Sequence, residues 1–161
     1  MSSQVLTQQA SAALDAWARL LRGHAATRRG LNAQLVADHG LTISGYEALL
    51  ILAHAEEGQL RRVDLAEHLL LTASGVTRLL DGLEAAGLVE RASCDSDRRI
   101  VYAVLTDAGR AKLEAASDTH IAGVRAVFEK RFSEAELGQL AELLSRLPGT
   151  AGARGEDCAA P

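Results

Sequence analysis

The sequence predicts a mainly α-helical (α+β) fold carrying one small β-hairpin, and three observations predict it. Apolar residues recur every three or four positions through most of the chain, which is the period of a helix face. Serine and threonine stand where helices would open, and glycine where they would close. Between the helical stretches lies one segment of another kind, "ERASCDSDRRIVYAVLT" (90–106), in which an acid-and-arginine cluster separates two short β-prone runs.

A chain of 161 residues suits one domain, and 48% hydrophobic content is enough for a core without disulfides or metal. The two cysteines, Cys94 and Cys158, fall in no ligand-like or framework spacing, so neither a metal nor a cofactor is expected. The opening "MSSQVLTQQASAALDAW" has no basic start and no apolar core of signal-peptide length, and no run approaches the roughly 18 apolar residues of a membrane span. These features predict a cytoplasmic protein without a membrane partner. An enzyme is not expected, because the five histidines (24, 39, 54, 68 and 120) are scattered over different helical segments with no nucleophile motif beside them. The formal charge of -4 does not advertise nucleic-acid binding, but net charge is silent on where a local basic face lies.

The first helical segment runs from about Leu14 to Val36, with Leu14, Trp17, Leu21, His24, Arg28, Leu31 and Leu35 on one stripe. Gly23 and Gly30 each weaken it by about 1 kcal/mol relative to Ala, so packing must hold it and a bend is allowed. Gly40 ends it. In "TISGYEALLILAHAEEG", Ser44 and Glu47 have the spacing of a capping box, opening a second helix that closes near Gly58. A short helix follows near Val63 to Leu69; after a tight turn comes another, capped by Thr72 and closed at Gly87. Val76, Leu79, Leu80 and Leu83 form its inward stripe, while Ser74, Thr77, Arg78 and Asp81 recur on the other face. Two such helices at a steep angle describe a helix-turn-helix.

The hairpin follows that second helix directly, which makes it a wing, with "LVERAS" and "IVYAVL" as strands and "CDSD" as the turn. At its tip Arg98 and Arg99 are placed to reach phosphates or an adjacent minor groove, with Asp97 orienting one of them by a charge-assisted hydrogen bond. Thr106 caps a long helix, and a Ser133–Glu136 capping box opens a last one that Pro148-Gly149 stops. The leucines of the first and terminal helices exceed what one wing domain covers, so a symmetric homodimer is expected to bury them. The expected organisation is an N-terminal dimerisation helix over 1–40, a DNA-binding unit over 41–106, dimerisation helices over 107–148 and a frayed tail over 149–161.

From Ser44 to about Leu113 the chain resembles the MarR family of bacterial transcriptional regulators. The resemblance is carried by Asp97-x-Arg99, by Leu105-Thr106 after five intervening residues, and by Gly109. The helical flanks fit as well, leaving out only the tail. It implies a winged helix-turn-helix with N- and C-terminal dimerisation helices, acting as a homodimer on a pseudo-palindromic operator in double-stranded DNA, as a repressor. Recognition helices would enter successive major grooves and wings the flanking minor grooves. In many members a small-molecule effector, often a phenolic carboxylate, binds between the dimerisation helices and the winged helix and releases the DNA.

The residues expected at DNA are Thr72, Ser74, Thr77, Arg78, Asp97, Arg98 and Arg99. Plainer alternatives are a solvated helix face for Thr77 and Arg78, and surface ion pairs of Arg98 and Arg99 with Asp95 and Asp97, worth about 0–1 kcal/mol each. The helix-turn-helix context and the wing favour DNA. Arg61 and Arg62 are either phosphate contacts or a solvated strand end. Trp17, His24, Arg28 and Tyr46 are the effector-binding candidates. A buried arginine is costly unless paired. Either the stripe rotates at Gly23, so that His24 and Arg28 reach solvent or an acid, or both face a cleft with Tyr46 opposite and hold an anionic aromatic ligand. Trp17 is expected in the core or at its edge. Cys94, beside Arg91, raises a redox-responsive alternative, a passive wing cysteine being favoured. A winged helix that binds a protein in place of DNA stays open, since fold alone does not dictate the partner.

Overall fold

The computed structural model describes residues 11–94, 99–150 and 161. Asp97 and Arg98 of the wing tip, Cys158 and most of the C-terminal tail lie outside the described residues. In order, the elements are α1 (Ala12–His39), α2 (Ile43–His54), a 3-10 turn (Glu56–Gly58), β1 (Gln59–Arg61), α3 (Arg62–His68), α4 (Ala73–Ala85), β2 (Val89–Ser93), β3 (Val101–Leu105), α5 (Asp107–Phe128) and α6 (Glu134–Leu144). The three strands form an antiparallel sheet in the order β1-β3-β2, with Leu60 opposite Ala103 and Ala92 opposite Tyr102.

α1 opens at Ser11, whose hydroxyl accepts from Leu14 N–H, and runs unbroken through Gly23 and Gly30 to Gly40 in the left-handed conformation. Its C-terminal part buries Leu31 and Leu35, whereas Leu14, Trp17, Leu20 and Leu21 stay exposed. The expected inward stripe is thus inward only over its second half. Trp17, expected in or beside the core, is instead 58% exposed, because no other part of the described chain covers that end of α1.

α2 departs from the direction of α1 by 81° and is apolar on nearly every side, burying Ile43, Tyr46, Ala48, Leu49, Leu50 and Leu52. Such a helix belongs in the middle of a fold; α2 packs on α1, α3, α4, α5 and strands β1 and β3. The expected Ser44–Glu47 capping box is not formed. Thr42, two residues earlier and extended, caps α2 by accepting from Gly45 N–H, which leaves Ser44 in the first turn and Glu47 just beyond it, free to meet another partner. α2 also closes earlier than expected, at His54, the 3-10 turn covering the rest of the way to Gly58.

The helix-turn-helix forms where the hydrophobic period placed it. Leu65 of α3 and Val76, Leu80 and Leu83 of α4 are buried against α2. In the turn between them Leu70 takes a left-handed conformation (φ 53) and donates to Glu67 C=O, while Leu71 donates to Ala66 C=O. That is the helix-ending geometry glycine usually serves, yet here a leucine holds it with 92% of its surface exposed.

The wing is joined to α5 at a tight crossing. Thr106 caps α5 by accepting from Gly109 N–H and donates its own hydroxyl to Gly87 C=O at 2.7 Å. A Cβ on Gly109 would stand 2.0 Å from the Leu88 carbonyl oxygen. The Leu105-Thr106…Gly109 pattern is therefore a joint: it ends β3, starts α5 and pins both to the turn after α4. α5 then lies along α1 and α2, and a Ser133–Glu136 capping box opens α6 as expected. No single helix among the described residues is long and apolar enough to cross a membrane.

Two substitutions check this account. Gly109→Ala, forced against backbone, should destabilise the protein by about 1–3 kcal/mol or more, read as a lower denaturant midpoint. Leu70→Gly should raise that midpoint, through a stabilisation of about 0.5–1 kcal/mol, because it relieves a left-handed leucine that is 92% exposed.

Candidate nucleic-acid interface

α4 is amphipathic, with its buried stripe turned to α2 and its other face open. Thr72 caps it by accepting from Gly75 N–H at 3.1 Å, and the Thr72 and Ser74 hydroxyls lie 3.2 Å apart. Thr77 donates its hydroxyl to Ala73 C=O one turn back, at 2.8 Å. Ala73, Ser74, Thr77 and Arg78 line an open groove together with Arg62 from the start of α3. The structure thus brings Ser74, Thr77 and Arg78 to one surface, next to the α4 N-terminus where Thr72 sits. Among the described residues neither Arg62 nor Arg78 forms an ion pair, although acidic side chains are near in sequence.

Those acids are engaged elsewhere. Arg61, at the end of β1, pairs with Asp64 through both Nε (2.6 Å) and Nη2 (2.8 Å), and this hydrogen bond holds its guanidinium charged. Arg61 is therefore an ion-paired strand end, and Arg62 is the cation of the two that faces the groove. Sequence reasoning left these two undivided; the signal was Asp64, three residues after Arg61 on the same helix-opening turn. It also missed Arg91. From β2, Arg91 reaches back to Asp81 and, at 3.2 Å, to Glu84, tying the wing to α4. Arg99 is exposed at the end of the described wing, and Cys94 is half-buried with its N–H donating to Ile100 C=O.

The effector candidates separate into different environments. Arg28 makes a two-pronged pair with Glu47 and donates to Ser44 Oγ at 3.1 Å, so α1 and α2 are bridged by the very residues expected to cap α2. Tyr46, expected opposite Arg28 in an open cleft, is instead a core residue only 1% exposed, since it lies on the side of α2 that meets α5. There its hydroxyl sits 3.1 Å from Ser117 Oγ and its ring 4.6 Å from that of His120. His24, like Trp17, is exposed on α1. His120 Nδ1 is buried with no hydrogen-bond partner among the described residues.

A hairpin wing in a three-stranded sheet, a helix pair packed at its root and a polar, arginine-bearing outer helix face define a winged helix-turn-helix. A family model described as MarR family matches residues 39–100. The structure of AbsC, a MarR family transcriptional regulator from Streptomyces coelicolor, superposes with a TM-score of 0.73 at 31% identity, covering 86% of this chain and 91% of that one. The chain belongs to the MarR family of transcriptional regulators. Sco3205, another MarR family regulator from Streptomyces coelicolor and solved in complex with DNA, gives a TM-score of 0.73 at 29% identity over 80% of this chain and 81% of its own. The transcriptional repressor YetL of Bacillus subtilis is 32% identical over 111 residues, which are 69% of this chain and 66% of that repressor.

Half-buried His120 is expected to give this region a pH dependence. Burial holds the His120 imidazole below its usual value of 6.5, and the carboxylate of Glu47 pulls the other way less strongly. In the window between the depressed folded value and 6.5 the unfolded chain binds more protons, so stability falls as pH is lowered through it. His120→Gln should flatten that decline in denaturation midpoints taken below pH 6.5; an unchanged slope would place the titrating group elsewhere.

Proposed function

We propose that the protein is a sequence-specific, DNA-binding transcriptional repressor acting as a homodimer on a pseudo-palindromic operator. One observation carries most of the weight: Ser74, Thr77 and Arg78 share an open groove with Arg62 on the face of α4 opposite its buried stripe, and neither arginine has an acidic partner among the described residues. A helix so placed offers hydroxyls and guanidinium donors to base edges, and the wing bearing Asp97, Arg98 and Arg99 reaches the flanking backbone. The Sco3205–DNA complex supports the same partner, and the YetL repressor supports the direction of control.

The homodimer reading is supported by apolar surface the single chain leaves uncovered. Leu14, Trp17, Leu20 and Leu21 on α1 are exposed, and so are Phe132 before α6, Leu143 within it and Leu147 after it. A two-fold pairing of these terminal helices would bury them and set two α4 helices about one DNA turn apart. Release by a small-molecule effector completes the reading, through ligand pressure on the α1–α2 bridge: an anion that meets Arg28 would compete with Glu47 for its guanidinium.

Selection of duplexes from a random pool, followed by anisotropy titration over a range of salt, tests the proposal. Two chains should bind each selected duplex, with affinity falling steeply as salt rises. Arg78→Ala should cost about 1–3 kcal/mol on selected duplexes and relax base preference. Arg99→Ala should weaken all duplexes alike and flatten the salt slope. Wild-type protein that selects nothing at low salt would overturn the reading in favour of a protein-binding winged helix.

A further inference from the structure

We propose that Thr77 selects an A·T pair by holding its methyl group against a thymine 5-methyl, an inference that rests on the DNA-binding reading and adds the base class to it. The hydrogen-bond direction at Thr77 is fixed by its partner. A carbonyl oxygen has no hydrogen to give, so the 2.8 Å contact to Ala73 C=O uses the one hydrogen of the Thr77 hydroxyl. What Thr77 can present to the groove is then a methyl group and oxygen lone pairs, and no donor. The same bond fixes χ1, so the methyl is held in one place before DNA arrives.

Back-bonding of this kind is ordinary for a helical threonine. Its consequence depends on where the side chain stands, and Thr77 lines the same open groove as Arg62, Ser74 and Arg78. In the major groove a guanine offers two acceptors, N7 and O6, which a group without a hydrogen cannot satisfy. Adenine N6 and cytosine N4 are donors that suit a lone pair, but only an A·T pair adds a methyl to meet a methyl. The neighbouring Arg78 has the opposite chemistry: its guanidinium only donates, and among the described residues nothing acidic holds it. Thr77 and Arg78 divide the reading between them, a thymine methyl for the one and guanine acceptors for the other.

The test uses duplexes selected by the wild-type chain, with thymines replaced one at a time by deoxyuridine, which lacks only the 5-methyl. One thymine in each half-site should lose about fourfold in affinity on replacement, the worth of one buried methyl. Thr77→Ser keeps the hydroxyl and removes the methyl; it should bind the thymine duplex about fourfold more weakly per half-site and no longer distinguish thymine from deoxyuridine there. Thr77→Val keeps a methyl and should retain the distinction. The salt slope should be the same for all three proteins, because no phosphate contact changes. A Thr77→Ser chain that still prefers thymine at that position, or a wild type indifferent to every replacement, overturns the inference while leaving DNA binding intact. Failure of the wild type to select any duplex removes the DNA reading itself, and this inference with it.

Discussion

The close passage of α5 beneath the turn after α4 is the constraint on which the arrangement depends. With no side chain at Gly109, the first turn of α5 comes up against the Leu88 carbonyl, and Thr106 fastens the crossing by capping α5 and donating to Gly87. Gly87 and Leu88 end the α4 segment, Leu105 ends β3, and Asp107 begins the helix that runs to Phe128. One contact therefore sets the recognition helix, the wing and the long flanking helix relative to one another. A shift of the α5 axis at this point would disturb the hydrogen bond from Thr106 to Gly87. This gives a physical reason for the Leu-Thr spacing and the following glycine that mark the sequence: they are joint residues.

α2 is the second half of that linkage. It is wrapped on almost all sides, so it joins α1 and α5 to α3 and α4 through its packing contacts. The Arg28–Glu47 pair sits where α1 meets it, only about a third exposed on each side chain. A pair at that depth is worth little when intact, but losing one partner strands the other charge against an apolar helix. The bridge is a poor source of stability and a sensitive point of attachment. An anion competing for Arg28 would act on α2 directly, and through α2 on both helices of the reading head.

How much of this was legible follows from the range of the interactions. α4 read cleanly because its evidence is local: a 3.6-residue period, Thr72 in front and Gly87 behind. The caps at Thr106 and Ser133 read for the same reason. The cap of α2 did not, because two hydroxyl residues, Thr42 and Ser44, stand within three positions and the local pattern does not choose between them. Arg28 looked like a costly inward charge since its acid lies 19 positions away on another helix. Tyr46 was drawn as a cleft residue although its position on α2 faces α5, and a periodicity that runs apolar all round offers no face to choose. β1, three residues long, is too short for alternation to show and exists because β3 offers it an edge. In the candidate site Ser74, Thr77 and Arg78 were readable from the helix face, whereas the roles of Arg62 and Arg91 needed the tertiary contacts.

Those two arginines also settle how a chain of formal charge -4 can present a surface to a polyanion. Asp81 and Glu84 project from α4 on the side nearest the wing, and unneutralised carboxylates there would oppose a phosphate backbone. Arg91, from the wing strand, meets both; Asp64, at the start of α3, is taken by Arg61. Each of these pairs is exposed enough to add little to stability. Their effect is on the field instead: Arg61 offsets Asp64 and Arg91 offsets one of the two carboxylates it meets, which lowers the negative charge beside the groove, while Arg62 and Arg78 line it with no ion pair among the described residues. Net charge is a sum over the whole surface, and binding depends on the local remainder. Because Arg91 belongs to the wing and its acids to α4, the same contacts that lower the negative charge also tie the wing to α4, so the electrostatics and the geometry of the face are coupled.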